Sequence, residues 1–222
     1  AGSVGAYNGI RAWGERSGSY SIPRAIDCLD LDDMLSIAKG VSLPDDIRIV
    51  LTGYGRVGQG AKEVLDHLNI RSVHPDDFLR MDFPEPVYTH LDVGDYNERT
   101  DGAPFDMANF IAEPMMFEST FMPFAQRADL FIAGHFWAEG SPFLFTRDDM
   151  QHPEWRLKVV ADISCDIDGP VACTIRPSTI AHPLYGYHPQ LQQECEATDA
   201  NGITIMAVDN LPCELPRDAS DG

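Results

Sequence analysis

The chain has 222 residues, enough for one sizeable domain or two small ones, and 44% of them are apolar, as in a protein with a buried core. Its 35 Asp and Glu against 16 Lys and Arg give a formal charge of −19, which repels nucleic acid and anionic lipid and excludes both as expected partners. No window approaches the ~18 consecutive apolar residues of a membrane span, and the first residues lack a secretory-signal pattern, so a cytoplasmic protein is expected.

Residues 4–16 carry Ile10 and Trp13 at helical spacing and end in the turn cluster Ser17-Gly18-Ser19, which predicts a helix that packs on a neighbour. Asp30 caps a second short helix, with Leu31, Met34, Leu35 and Ile37 as its apolar side and Gly40 as its stop. After the linker SLPDD, Ile47 to Thr52 reads as a buried parallel strand. This separates an N-terminal helical segment, residues 1–40, placed between domains, from a main domain over residues 41–222.

Gly53-Tyr54-Gly55-Arg56-Val57-Gly58 then fits G-x-G-x-x-G, and Ala61, Val64, Leu65 and Leu68 continue it as an amphipathic helix. The pattern alone is weak, but its place between a strand and a helix favours a dinucleotide cradle over a plain turn. Gly53 permits the tight bend, Gly55 lets backbone approach a diphosphate, and Gly58 lets the helix lie against the strand. Ile70 to Val73 reads as the second strand. An acid about 20 residues beyond the glycines usually accepts a ribose hydroxyl. Asp76 or Asp77 fits that place, and Asp76 equally fits a helix cap.

Farther on, VYTHLDV (87–93) alternates as a strand, and Phe117, Phe121, Phe124 and Ala125 share one face of an expected helix over 117–129, despite Pro123. Three apolar runs follow, DLFIAGHFW, LKVVADISCD and GITIMAVDNLP. They complete an α/β fold with a Rossmann-like parallel sheet and helices on both faces. Ligands of such sheets sit beyond the strands' carboxyl ends. That rule selects His135, Phe136 and Trp137, then Ser164, Cys165 and Asp166, then Asp209 and Asn210 as the lining of a crevice.

The five cysteines are scattered without a C-x-x-C pair, and AHPLYGYHP, with His182 and His188, reads as an exposed loop, so no metal site and no disulfide framework are expected. Acid–base chemistry near neutral pH needs a His or a Lys of lowered pKa. The three lysines, Lys39, Lys62 and Lys158, all fall away from the expected crevice, and His135 packs beside a cofactor as readily as it moves a proton. No catalytic residue is therefore assigned in this chain.

The segments GYGRVGQGA, VVADISCDIDG and AVDNLPCELPRDAS together resemble the lysine-forming saccharopine dehydrogenases and the related lysine–oxoglutarate reductases, which are similar in architecture to alanine dehydrogenase. The resemblance implies a cofactor domain, the second of a two-domain dehydrogenase, that binds NAD, with NADP left open. The implied small-molecule substrate is saccharopine, or lysine plus 2-oxoglutarate in reverse. It also implies that Gly55 and Arg56 meet the pyrophosphate, with Val57 in the same turn, and that Phe136 and Ile163 border the cofactor. Val208, Asp209, Asn210 and Leu211 would lie beside the nicotinamide, while Ser164, Cys165 and Asp166 face the substrate. The family's catalytic Lys and His sit on an N-terminal domain that this sequence does not include, since Ala1 falls just inside the helix that crosses between domains. Two other functions stay open, a different amino-acid dehydrogenase of the alanine dehydrogenase type and a noncatalytic dinucleotide sensor. The stretch from Phe83 to Pro114 is longer than the family pattern requires and has no assigned role.

Overall fold

In the computed structural model, which describes residues 1–218, the chain begins with α1 (Gly2–Ser17) and α2 (Leu31–Lys39). Asp30 caps α2 by accepting from the Asp33 amide at 2.9 Å. The sheet then opens with β1 (Arg48–Thr52), followed by α3 (Arg56–His67), β2 (Arg71–Ser72), α4 (Pro75–Arg80) and β3 (Val87–Leu91). An excursion comes next: β4 (Asn97–Arg99), α5 (Met107–Ala112) and β5 (Phe117–Ser119), with β4 and β5 paired antiparallel away from the main sheet. A single turn, α6 (Met122–Ala125), leads to β6 (Leu130–Ala133) and β7 (Val159–Asp162), and β8 (Leu184–His188), β9 (Gln193–Cys195) and β10 (Ile203–Met206) close the order.

The eight-stranded sheet runs β2-β3-β1-β6-β7-β10-β8-β9, parallel from β2 to β10 and antiparallel only at the β8 and β9 edge. Alternation along β1 divides the core into two layers. Ile49 and Leu51 point to the face covered by α1, α2 and α3, where Tyr7, Ile10, Met34, Val64 and Leu65 are buried. Val50 points to the opposite face, where Phe78 of α4 and the aromatic group Phe121, Phe124, Phe131 and Phe145 are buried. This is the doubly wound α/β arrangement that the strand and helix alternation predicts. α1 reaches the sheet through small residues: a Cβ at Gly9 would lie 2.9 Å from Ala161 Cβ, and one at Gly5 would lie within the Ile163 side chain.

Three local expectations are corrected. Residues 117–129 are not one helix. Ser119 Oγ donates to the Leu144 carbonyl at 2.7 Å and accepts from the Phe121 amide at 3.2 Å, which bends the chain out of β5, and Pro123 then opens a new single turn. Phe121, which caps the single turn of α6, and Phe124 within it do share one helical face into the aromatic core, whereas Phe117 belongs to β5. The second strand in chain order shrinks to Arg71 and Ser72, both exposed at the sheet's edge, and β3 takes the place beside β1. AHPLYGYHP contains a strand, since Tyr185 and Tyr187 alternate into the core and Gly186 lies so close to the Glu196 carbonyl that a Cβ would sit 2.2 Å from it.

No helix among the described residues is long and apolar enough to cross a membrane. All five cysteines are free. The polar-tail reading of RDASDG, and the final Ala-Ser of the last motif, fall from residue 219 on outside the described residues.

Phe121 is fully buried and within 6.3 Å, centroid to centroid, of Tyr96, Phe124, Phe131 and Phe145. Phe121→Ala is expected to destabilise the fold by about 3–5 kcal/mol, measured as a lower denaturant midpoint with an unchanged slope.

Candidate functional site

β1 ends at the glycine turn, and each glycine answers a different steric demand. Gly53 has φ +97°, and a Cβ there would lie 2.3 Å from the Gly134 carbonyl at the end of β6. At Gly58 a Cβ would fall 1.7 Å from the Gly53 carbonyl, so α3 rests directly on the turn. Gly55 caps α3 with no side-chain partner, and a Cβ there would meet nothing within 4 Å. The first amides of α3, which have no intrahelical acceptor, therefore open onto space, the arrangement that accepts an anion at a helix start. A dinucleotide's diphosphate fits these residues.

The turn is held from two sides. Thr52 Oγ1 and His135 Nδ1 are 2.7 Å apart, tying the end of β1 to the segment after β6. His90 Nε2 donates to the Gly53 carbonyl at 2.6 Å, and Tyr54 stacks on the His90 ring at 4.2 Å while its hydroxyl donates to the His90 carbonyl. Burial lowers the His90 pKa, which suits a neutral ring donating to a carbonyl. None of Thr52, Tyr54 and His90 stands out in the sequence, because each signal lies in the pairing of β1 with its neighbours.

A cavity of about 760 Å³ opens at this edge. Its floor and one side come from Gly53, Gly55, Arg56 and Val57, joined by Gly134, His135 and Phe136 after β6 and by Ser164 and Asp166 after β7. Of the residues selected from sequence, these lie together. Arg56 is the one Lys or Arg among the described residues that line it. Gly58 sits beneath, in the packing of α3.

The others are placed differently. Ile163 is half-buried against Gly5 of α1. Cys165 is partly covered and its thiol donates to the Ala207 carbonyl at 3.3 Å; burial pushes its pKa up to about 11, so it is no nucleophile here. Val208 and Leu211 are buried, Asp209 and Asn210 are exposed, and none of the four lines the cavity. Asp76 is in the first turn of α4, beneath the His74 cap and next to the edge strand, and the structure does not bring it to the cavity. The physical reason is strand order: the chain crosses to the sheet's edge before it returns to β1, so the acid at the end of the strand beside β1 is Asp92. Asp92 lines the cavity and accepts from the Val93 amide at 2.8 Å.

Two polar groups missed in the sequence support the floor. Asp162, fully buried at the end of β7, accepts from Ser164 Oγ at 2.6 Å, the Cys165 amide at 3.0 Å and Thr174 Oγ1 at 2.6 Å. These bonds hold Cys165 at φ +52°, a left-handed conformation uncommon for a residue with a side chain. Burial still raises the Asp162 pKa against the three bonds that favour the carboxylate. Tyr96 is buried beside His135, ring centroids 6.2 Å apart. No cluster of three or more potential metal ligands occurs among the described residues. A second open depression, of about 560 Å³ around Phe143, Arg147 and Asp168, includes none of the glycine-turn residues.

The fold and the glycine-turn crevice define a Rossmann-type α/β domain, and comparison with solved structures agrees: an L-alanine dehydrogenase matches all of this chain and 48% of its own length at TM-score 0.51 and 17% identity. Sequence comparison bears out the resemblance to the saccharopine enzymes at modest identity. The chain is 27% identical over 197 residues to the mitochondrial alpha-aminoadipic semialdehyde synthase of Mus musculus, covering 79% of this chain and 21% of that protein. It is 24% identical over 236 aligned positions to the saccharopine dehydrogenase [NAD(+), L-lysine-forming] of Yarrowia lipolytica, covering 100% of this chain and 52% of that one. The chain thus spans about a fifth of the first relative and about half of the second. No protein-family model matches it.

His135 gives the site a measurable signature. Burial pushes its pKa down to about 4, below the ordinary value of 6.5. The unfolded chain therefore binds a proton that the folded one refuses, and stability is complete above pH 6.5 and lost as pH falls toward 4. Between pH 7.5 and pH 5, the wild-type protein should lose about 2 kcal/mol that His135→Gln does not lose. Urea unfolding of both proteins at the two pH values reads the difference.

Proposed function

We propose that this chain is the nicotinamide-dinucleotide-binding domain of an oxidoreductase acting on the C–N bond of saccharopine, in the direction of lysine and 2-oxoglutarate or its reverse. The observation that carries the reading is Gly55: a helix start without a side-chain cap, facing a cavity shared by three strand ends. The similarity to saccharopine enzymes supports the substrate class.

In this reading, the amides after Gly55 and the Arg56 guanidinium hold the diphosphate, and Asp92 takes the ribose-binding role first sought at Asp76. A carboxylate at that place accepts two ribose hydroxyls and repels a 2′-phosphate, so the cofactor is NAD in preference to NADP. When bound, NAD supplies a hydride acceptor. His135 and Phe136 pack beside it, and Ser164 and Asp166, at the end of the β7 loop, face the substrate. Cys165 fixes that loop's bend, and the segment from Val208 to Leu211, with Asp209 exposed, flanks it.

The proton transfers belong to another domain. Among the described residues, Lys62 is paired with Asp66 at 2.6 Å, Lys39 ends α2, and Lys158 precedes β7 at the sheet's opposite end. His135 is neutral throughout the neutral range. We place α1 and the rest of residues 1–40 at the junction with that domain, which carries the acid and base.

The unaltered chain should quench or enhance NADH fluorescence on titration, with weaker binding of NADPH, and Asp92→Ala should narrow that preference to within about threefold. Gly55→Asp places a carboxylate where the diphosphate enters without touching a neighbour, so it should weaken NADH binding about 100-fold with an unchanged melting temperature. Unchanged affinity would remove the cradle. The chain alone should give no saccharopine-dependent NADH formation; turnover would show that the acid and base are already here.

A further inference from the structure

The excursion between β3 and β6 is not needed to build a doubly wound sheet, yet it faces the crevice. Residues 97–119 form an arm: the β4–β5 pair at its base and α5 at its tip. The arm is held to its base, because Phe110 of α5 packs with Phe105 and Phe117 at centroid distances of 5.1–5.7 Å, Arg99 lies 5.6 Å over Phe117, and Ser119 bonds to the Leu144 carbonyl. At the tip the pattern reverses. No residue of α5 is buried, although its sequence is MANFIA; Met107 is 43% and Ile111 73% exposed.

These exposed apolar side chains line the same cavity as the glycine turn. Phe136, 90% exposed, and Trp137 line it as well. The segment after Trp137 approaches the arm, since a Cβ on Gly140 would lie 3.7 Å from Pro114. The chain passes from Asp92 into the arm through the short turn Val93–Asp95, on the β3 side of β1, the half of a doubly wound crevice that takes the adenosine end of a dinucleotide. A flat, uncharged base next to a ribose suits a cavity lined by exposed apolar side chains and a carboxylate.

We propose that this arm is an adenine clamp, with Met107, Phe110 and Ile111 on one face of the base and Phe136 and Trp137 on the other. The inference rests on the dinucleotide reading above and deepens it. Stacking or apolar contact of this kind contributes about tenfold or more per base.

The test compares three probes on the full chain and on Met107→Glu and Ile111→Glu, both at exposed positions that leave the fold intact: NADH, ADP-ribose and reduced nicotinamide mononucleotide. With the clamp, both variants lose about tenfold in affinity for NADH and ADP-ribose and bind the mononucleotide as before. Equal affinities in variants and wild type overturn the clamp alone, as does an equal loss for all three probes. A change of oligomeric state with unchanged affinities overturns it too, since the arm would then be a protein interface. Absence of NADH and ADP-ribose binding by the unaltered chain overturns the dinucleotide reading, and the clamp with it.

Discussion

The site depends on a steric constraint between two backbones. Where β1 and β6 end side by side, Gly53 and Gly134 approach so closely that no side chain fits between them, and α3 settles onto the Gly53 carbonyl in the space that Gly58 leaves free. Everything at the crevice inherits its place from that contact. The Thr52–His135 bond joins the same two strand ends, and the His90–Gly53 bond anchors the turn to β3. Three adjacent strand ends are thus fixed with no ligand contributing, which reduces the ordering cost that binding would otherwise carry.

That local order also explains how so acidic a chain offers an anion site. The charge of −19 is spread over the surface and is screened beyond a Debye length of about 8 Å at physiological salt. The cavity lining carries the acids Asp92, Glu139 and Asp166, and at the helix start the unpaired amides and Arg56 present a local positive field. The global charge bears on encounter rates, whereas the amides at the helix start act only within the first turn.

Much of this was legible in the sequence because the signals were local. The glycines, the helix after them and the apolar runs of β1, β6, β7 and β10 each declare themselves within a dozen residues. What stayed hidden depended on pairing. Ile70–Val73 and VYTHLDV both read as strands, and no local feature says which lies beside β1. That choice moved the acid at the strand end from Asp76 to Asp92. The helical spacing of Phe117, Phe121 and Phe124 spans two elements: Phe117, in β5, packs with Phe105 and Phe110, whereas Phe121 and Phe124, on the α6 turn, enter the main aromatic core. In LYGYH the glycine and flanking prolines suggested a loop, whereas Gly186 is there because the Glu196 carbonyl leaves no room for a Cβ.

The crevice floor has a consistent electrostatic character. His135 is held neutral down to about pH 4, and the Cys165 thiol is held protonated up to about 11, each by burial. Asp162 satisfies three donors in the loop beneath Ser164 and Asp166 and is fully buried. His135 and the Cys165 thiol therefore keep their charge state across neutral pH, and the hydrogen bonds that each makes to the strand ends stay constant there. The same burial that fixes these strand ends removes His135 and Cys165 from acid–base work near neutral pH, which is what the proposed assignment of proton transfer to another domain requires of this one.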